Sequence, residues 1–387
     1  MRAPTDDLSD LVLAERVAAS LAVPRATVAS GRSSFVLHAP LELLARVSLL
    51  PLVAPSARTL ARRRITLLAE GYEASGPPLA PARPADFASP AGAAAALSAA
   101  VDAEDLDAVD EAATWLAGHA AVRDLAPLLA PTSLDRLSAA GHANIYLELV
   151  ARPAPSRLGV TMLRPVARAL AVGAADRITI PPIADGGDPV PLAKSVANGT
   201  VLGPTALSGI APMVRRAQEN GVFARLLDDT GRFVSPSVPP SGLLRAAART
   251  MLQGSAAHAP YGWTHCFTLA QAPLVLAGAG AVPVGQATWV GAAYVAAHWS
   301  AYGEDQIDLD RPVPRRTEVT ANSLATAASV SHDAHLVKYT LACLDAAATD
   351  PMHRDLYLAA ASHLHRWWEE RGDPNDPLGA VASHPKP

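Results

Sequence analysis

The sequence predicts an all-α protein: a large single helical body of stacked helical hairpins joined by irregular Pro/Gly-rich loops. Three observations carry this. Half of the 387 residues are hydrophobic while aromatics make up only 5%, so the core is built from Ala, Leu and Val, a composition that favours close-packed helices over sheets. Apolar residues recur at spacings of three and four along much of the chain, the period of a helix buried on one face. Short turn-forming stretches interrupt these runs in a helix-turn-helix rhythm.

Taken in order, residues 8–21, 35–52 and 56–72 read as three helices. Residues 76–90, with Pro77, Pro78, Pro81, Pro84 and Pro90, form a Pro/Ala-rich connector. A second helical group is expected at 93–103, 105–117, 132–139, 145–151 and 158–172. Residues 177–191 combine β-branched side chains, prolines and a Gly-Gly turn and read as an irregular loop. Helices resume at 205–220 and 241–253, continue through an uncharged segment, and close with 323–348 and 352–371. The expected organisation is one helical domain over residues 1–371 and a flexible tail over 372–387.

Composition removes several function classes. The formal charge is −4 and no basic run is interleaved with aromatics, so a nucleic-acid interface has no electrostatic footprint. Residues 250–303 contain no Asp, Glu, Lys or Arg, yet Gln253, His258, Gln271, Pro273, Pro283, Gln286 and His298 cut them into pieces shorter than the roughly 20 apolar residues a bilayer needs. A buried core lined with polar groups is expected, with no membrane association. The acidic, polar start lacks the pattern of a secretory signal. Cys266 and Cys343 sit 77 positions apart in apolar surroundings and suit free thiols, so a cytoplasmic location is expected.

One lysine stands out. The chain has three lysines, Lys194, Lys338 and Lys386, against 29 arginines. Arginine keeps its charge, whereas a desolvated lysine loses its proton and becomes a base, a nucleophile or a carbamate-forming amine. Lys338 lies in an Ala/Leu/Val-rich stretch with His332 and His335. The bland alternative is a lysine whose stem lies along an apolar helix face with its amine in water.

Of twelve histidines, His119, His353, His363, His365 and His384 occupy polar or amphipathic settings and read as structural. His38, His142, His258, His265, His298, His332 and His335 sit where an unpartnered imidazole is costly. On one helix His335 and Lys338 share a face, with His332 a turn earlier. Imidazole serves Fe, Zn, Ni and Cu alike. Neither Glu-x-x-His nor His-Glu-x-x-His occurs, which argues against di-iron and zinc-protease sites. A buried neutral Lys338 that captures carbon dioxide as a carbamate would supply the anionic oxygen that an all-histidine set lacks. A weak internal echo is also present: His38-Ala-Pro-Leu-Glu-Leu-Leu-Ala-Arg46 and His142-Ala-Asn-Ile-Tyr-Leu-Glu-Leu-Val-Ala-Arg152.

Three motifs, Tyr261-Gly262-Trp263-Thr264-His265-Cys266-Phe267-Thr268-Leu269, Gly141-His142-Ala143-Asn144-Ile145-Tyr146 and His335-Leu336-Val337-Lys338, together resemble the questin oxidase-like proteins. The resemblance implies a helical fold and a mononuclear non-haem iron, Fe(II), held by four histidines and a carboxylated lysine. Carried over residue by residue, it implies Lys338, His335, His265, His142 and His38, with His332 as a substitute for His335. It further implies dioxygen as co-substrate and a small hydrophobic aromatic or polyketide-like substrate, opened by oxidative C–C cleavage or by Baeyer-Villiger-like insertion. Tyr261, Trp263, His258 and His298, with Phe267, Trp289 and Tyr294, are then candidates for the pocket wall, and Tyr339 for a donor to bound oxygen. No Gly-x-Gly-x-x-Gly follows an expected strand, so no flavin or nicotinamide site is implied. Two other readings stand beside the oxygenase: a non-catalytic helical scaffold and a zinc-dependent hydrolase.

Overall fold

In the computed structural model, which describes residues 8–26, 32–152, 157–203, 209–313, 319–374 and 376–378, several helices begin where a side chain accepts a free N–H group of the first turn. The Ser9 hydroxyl accepts the Val12 N–H at the start of α1 (Asp10–Leu21). α2 (Arg32–Leu49) runs into a tight turn at Leu50–Leu52, and a second turn at Pro55–Ala57 leads into α3 (Arg58–Glu73). The connector is extended and exchanges backbone hydrogen bonds with Pro24 and Ala26. Ser89 caps α4 (Pro90–Asp102), which opens on a proline that needs no donor, and Asp105 caps α5 (Leu106–His119).

The helix expected at 132–139 does not form. α6 (Val122–Ser133) instead ends two residues into that stretch and contains Pro127 and Pro131. Proline deletes an N–H and reads as a breaker, but burial of Leu125, Ala126, Leu129 and Ala130 offsets the loss. α7 (His142–Val150) follows a strained turn. The helix expected at 158–172 is split at Met162 into α8 (Leu158–Thr161) and α9 (Leu163–Ala171).

The irregular loop contains β1 (Ile183–Asp185), paired in parallel with β2 (Phe233–Ser235), which lies beyond α10 (Pro189–Ala197) and α11 (Ile210–Glu219). Residues 205–208 of the helix expected from 205 lie outside the described residues. α12 (Ser241–Gln253) then leads through a π-helical turn, Ala259–Trp263, to α13 (Thr264–Gly278) and α14 (Val284–Tyr302). The last expected pair becomes three helices, α15 (Ala321–Val330), α16 (Ala334–Thr349) and α17 (Arg354–Arg371). The single helix expected over 323–348 is broken because the Asp333 carboxylate accepts the Leu336 N–H and starts a new one.

α13 and α14 form the centre. Nearly every residue of both is buried, as an uncharged helix apolar all round requires. α13 packs against α7, α12, α14 and α16, and α2 lies against α7 and α16. That junction brings the candidate residues together. Consecutive helices pack as hairpins in α4/α5, α13/α14 and α16/α17. Among the described residues no helix is long and apolar enough to cross a membrane.

Candidate metal centre

Four imidazoles from four helices meet at this junction. His38 comes from the middle of α2, and His142, His265 and His335 from the first turns of α7, α13 and α16. One ring nitrogen from each of His38, His265 and His335 lies within 4.8 Å of the others. His142 stacks on His38 with ring centroids 4.6 Å apart, and its Nε2 stands 3.3 Å from Nε2 of His265. The buried triad can hold a metal ion, and His142 adds a fourth imidazole.

The hydrogen bonds of the outer nitrogens decide what the inner ones are. His142 Nδ1 contacts the carbonyls of Ala139 and Ala140 at 3.0 and 3.1 Å, and His265 Nδ1 contacts the Tyr261 carbonyl. A carbonyl only accepts, so both Nδ1 atoms carry the proton and both Nε2 atoms present bare lone pairs. Two lone pairs at 3.3 Å repel unless a cation or a proton lies between them. Burial holds both imidazoles well below their ordinary pKa, which disfavours the proton. A cation fits: two nitrogens about 2.1 Å from one ion at an angle of about 105° are about 3.3 Å apart.

Local backbone strain serves this arrangement. Ala139 and Ala140 have φ of 50° and Gly141 has φ of 72°. Two alanines in the left-handed region cost about 1–3 kcal/mol each, and the gain is that both carbonyls turn onto His142 Nδ1. Gly141 is required sterically, since a Cβ there would lie 2.3 Å from Tyr294 Oη. Asn144 ties the start of α7 to α6 through Ser133 and the Leu134 carbonyl. On α13 the π-helical turn turns the Tyr261 carbonyl toward His265; such turns are frequent at functional sites.

Lys338 is 5% exposed and its Nζ has no hydrogen-bond partner among the described residues. Burial lowers its pKa from 10.5 to about 8, although Glu42 and Asp333 oppose this. Burial also holds His38 well below its ordinary pKa, and His335 below it, with Asp333 resisting the shift at His335. Asp333 caps α16 and places its second oxygen 3.5 Å from His335 Nδ1, a charge beside the ring without a hydrogen bond to it among the described residues.

Two buried arginines fix the turn that presents Asp333 and His335. Arg46 donates to Glu42 at 2.8 Å and to the carbonyls of Ser329 and Ser331 at 2.9 and 2.8 Å. Arg64 donates to the Val330 carbonyl at 2.8 Å and pairs with both oxygens of Asp376. Glu42, Asp333, Arg46 and Arg64 were not among the residues singled out from the sequence. Their signal was faint: His38, Glu42 and Arg46 recur every fourth residue and so share a face of α2.

A cavity of about 1260 Å³ opens over the imidazoles and is also lined by Tyr261, His298, Tyr302 and Trp368. His298 Nδ1 is held by the Tyr294 carbonyl at 2.7 Å, and burial brings its pKa to about 4. Other expected residues fall elsewhere. His332 sits in the break before α16, so it leaves the His335 face and binds Asp373 at 2.9 Å near the cavity mouth. Tyr339 is turned away by its position one residue past Lys338 and packs against Phe267 beside Cys343. Trp263 is fully buried and donates to the Ser255 carbonyl, while His258 stacks on Tyr302. Trp289 packs between Phe223 and Phe233.

No family of known proteins, no curated protein and no solved structure matches this chain.

Proposed function

We propose that this protein is a mononuclear non-haem iron oxygenase acting on a flat aromatic or polyketide-like small molecule. The observation that carries the reading is the pair of bare Nε2 atoms of His142 and His265, 3.3 Å apart and backed by His38, His335 and an unpartnered buried lysine. His38, His142, His265 and His335 would hold the metal. The resemblance to questin oxidase-like proteins names the metal as iron. Iron(II) bound there supplies the one-electron chemistry with dioxygen that an aromatic substrate by itself lacks.

The chain's own residues set the conditions. The four imidazoles are kept neutral by burial and are ready as donors. Lys338, with its pKa lowered to about 8, gives up its proton far more readily than an ordinary lysine; once the proton has left, the nitrogen bonds to the carbon of carbon dioxide, a second proton is released, and a carbamate anion results. That anion supplies the negative charge that four imidazoles do not. Leu37, Leu67, Ile210 and Met213 give the cavity apolar walls for a ring system. His298, with Nδ1–H committed to Tyr294, faces the cavity with a nitrogen that accepts a hydrogen bond from a substrate hydroxyl.

The test is metal analysis by plasma mass spectrometry on wild type and Lys338→Ala, prepared anaerobically without a histidine tag. About one iron per chain, reduced in the variant, is expected. Zinc instead would favour a hydrolase, in which the metal activates a bound water. Absence of any bound metal in both proteins would sink the reading and leave the scaffold.

A further inference from the structure

Arg64 lies in the cavity wall and takes its carboxylate partner from the segment after α17. Its side chain is 2% exposed, and a guanidinium so enclosed needs a counter-charge. Arg46, close by, is fully satisfied by Glu42 and two carbonyls. Arg64 has one carbonyl, Val330, and one carboxylate, Asp376, which it grips with both terminal nitrogens, Nη2 to Oδ2 at 2.6 Å. That is the planar two-point geometry by which arginine recognises a carboxylate.

The segment that delivers Asp376 follows α17. It leaves α17 at Gly372, whose φ of 66° turns the chain back. Of its described side chains only Asp373 and Asp376 turn inward, at 16% and 10% exposure, on His332 and Arg64. Pro374, Pro377 and Leu378 are exposed. Asp373 and Pro377 nevertheless form part of the cavity wall. A strap over the cavity mouth that meets Arg64 through a carboxylate can be exchanged there for another carboxylate without leaving a buried charge unpaired.

We propose that Arg64 is the recognition site for a carboxylate on the ligand of this cavity, and that Asp376 holds the place of that carboxylate when the cavity is empty. The ligand class is therefore an aromatic acid: the ring lies over the imidazoles and the carboxylate takes the place of Asp376 on Arg64. The inference deepens the proposed function and rests on it for the aromatic part of the ligand; the carboxylate part stands on Arg64 and the strap.

The experiment is isothermal titration of wild type, Asp376→Asn and Arg64→Gln with benzoate, 2-naphthoate and anthracene-2-carboxylate, each beside its neutral carboxamide. Circular dichroism checks that the variants are folded. Asp376→Asn is expected to tighten the acid that fits by about tenfold or more, the scale of a hydrogen-bonded charge, and to leave its amide within about twofold. Arg64→Gln is expected to erase the preference for acid. If no acid binds Asp376→Asn more tightly than its amide, the proposal is overturned, and because the hydrogen bonds of Asp376 among the described residues go to Arg64 and the Leu378 N–H, that variant remains informative even if Arg64→Gln unfolds. Running the series on chelator-stripped and iron-supplemented protein separates the two readings. Acid preference without metal binding would sink only the iron site, and iron binding without acid preference would sink only this inference.

Discussion

Replacing Lys338 with methionine should stabilise the metal-free protein, although it removes the residue on which the proposed chemistry depends. Met has a similar length and no charge, and the Nζ it replaces is buried without a hydrogen-bond partner. In the unfolded chain lysine titrates near 10.5, and in the folded protein burial brings it to about 8. That gap corresponds to about 3 kcal/mol of penalty on the folded state. The sign follows from linkage. Below pH 8 both states hold the proton and the penalty is complete; between 8 and 10.5 the unfolded chain binds more protons than the folded one, so wild-type stability rises with pH and the penalty fades. Lys338→Met should therefore gain up to about 3 kcal/mol at pH 7 and nothing near pH 10.5. Urea denaturation of chelator-treated protein at pH 7, 9 and 10.5 measures this. A variant less stable than wild type at pH 7 would show that the amine makes a favourable buried interaction, and the description of Lys338 as unpartnered would be wrong.

Other perturbations test other parts of the site. Arg46→Met strands the buried Glu42 carboxylate and two carbonyls and should cost about 3–5 kcal/mol; adding Glu42→Met should recover part of that, as read from a double-mutant cycle in urea. Gly141→Ala forces a Cβ onto Tyr294 Oη at a positive φ and should cost more than about 1 kcal/mol; Gly141→Ala with Tyr294→Phe should be less damaged than the single variant if the hydroxyl contact is the cause. For pH, burial depresses the folded-state pKa of His38, His142, His265 and His335, and brings His298 and His365 to about 4. Stability from such groups is present above about 6.5 and is lost as pH falls toward the folded-state values, at about 1.4 kcal/mol per pH unit for each histidine. Urea midpoints of metal-free protein at pH 7.5 and 5.5 should therefore differ strongly, and equal midpoints would mean that these imidazoles are already charged in the fold.

The sequence by itself determined the helical class, because a core of Ala, Leu and Val with few aromatics leaves little else to build. It determined the candidate chemistry through residue choice: a lone lysine beside His335, and histidines in stretches too apolar to hydrate them. The internal echo carried more than it showed, since each copy begins on a cavity imidazole and ends on a buried Glu–Arg pair, Glu42–Arg46 and Glu148–Arg152. The first of these pairs holds the turn before His335.

Only the tertiary structure decided which histidines meet. His332 and His335 are three residues apart and nearly equivalent in a continuous helix, but the Asp333 cap breaks that helix and sends one outward to Asp373 and the other inward. Tyr339 and Trp263 are aromatic neighbours of site residues in the chain, yet the helix turn points them into the core. The roles of Arg46 and Arg64 depend on partners up to 312 positions away, and no local pattern encodes such a distance. Local sequence fixes which groups are present and which face of a helix they occupy; the packing of α2, α7, α13 and α16 against one another fixes which of those faces converge, because only there are burial, charge and lone pairs settled together.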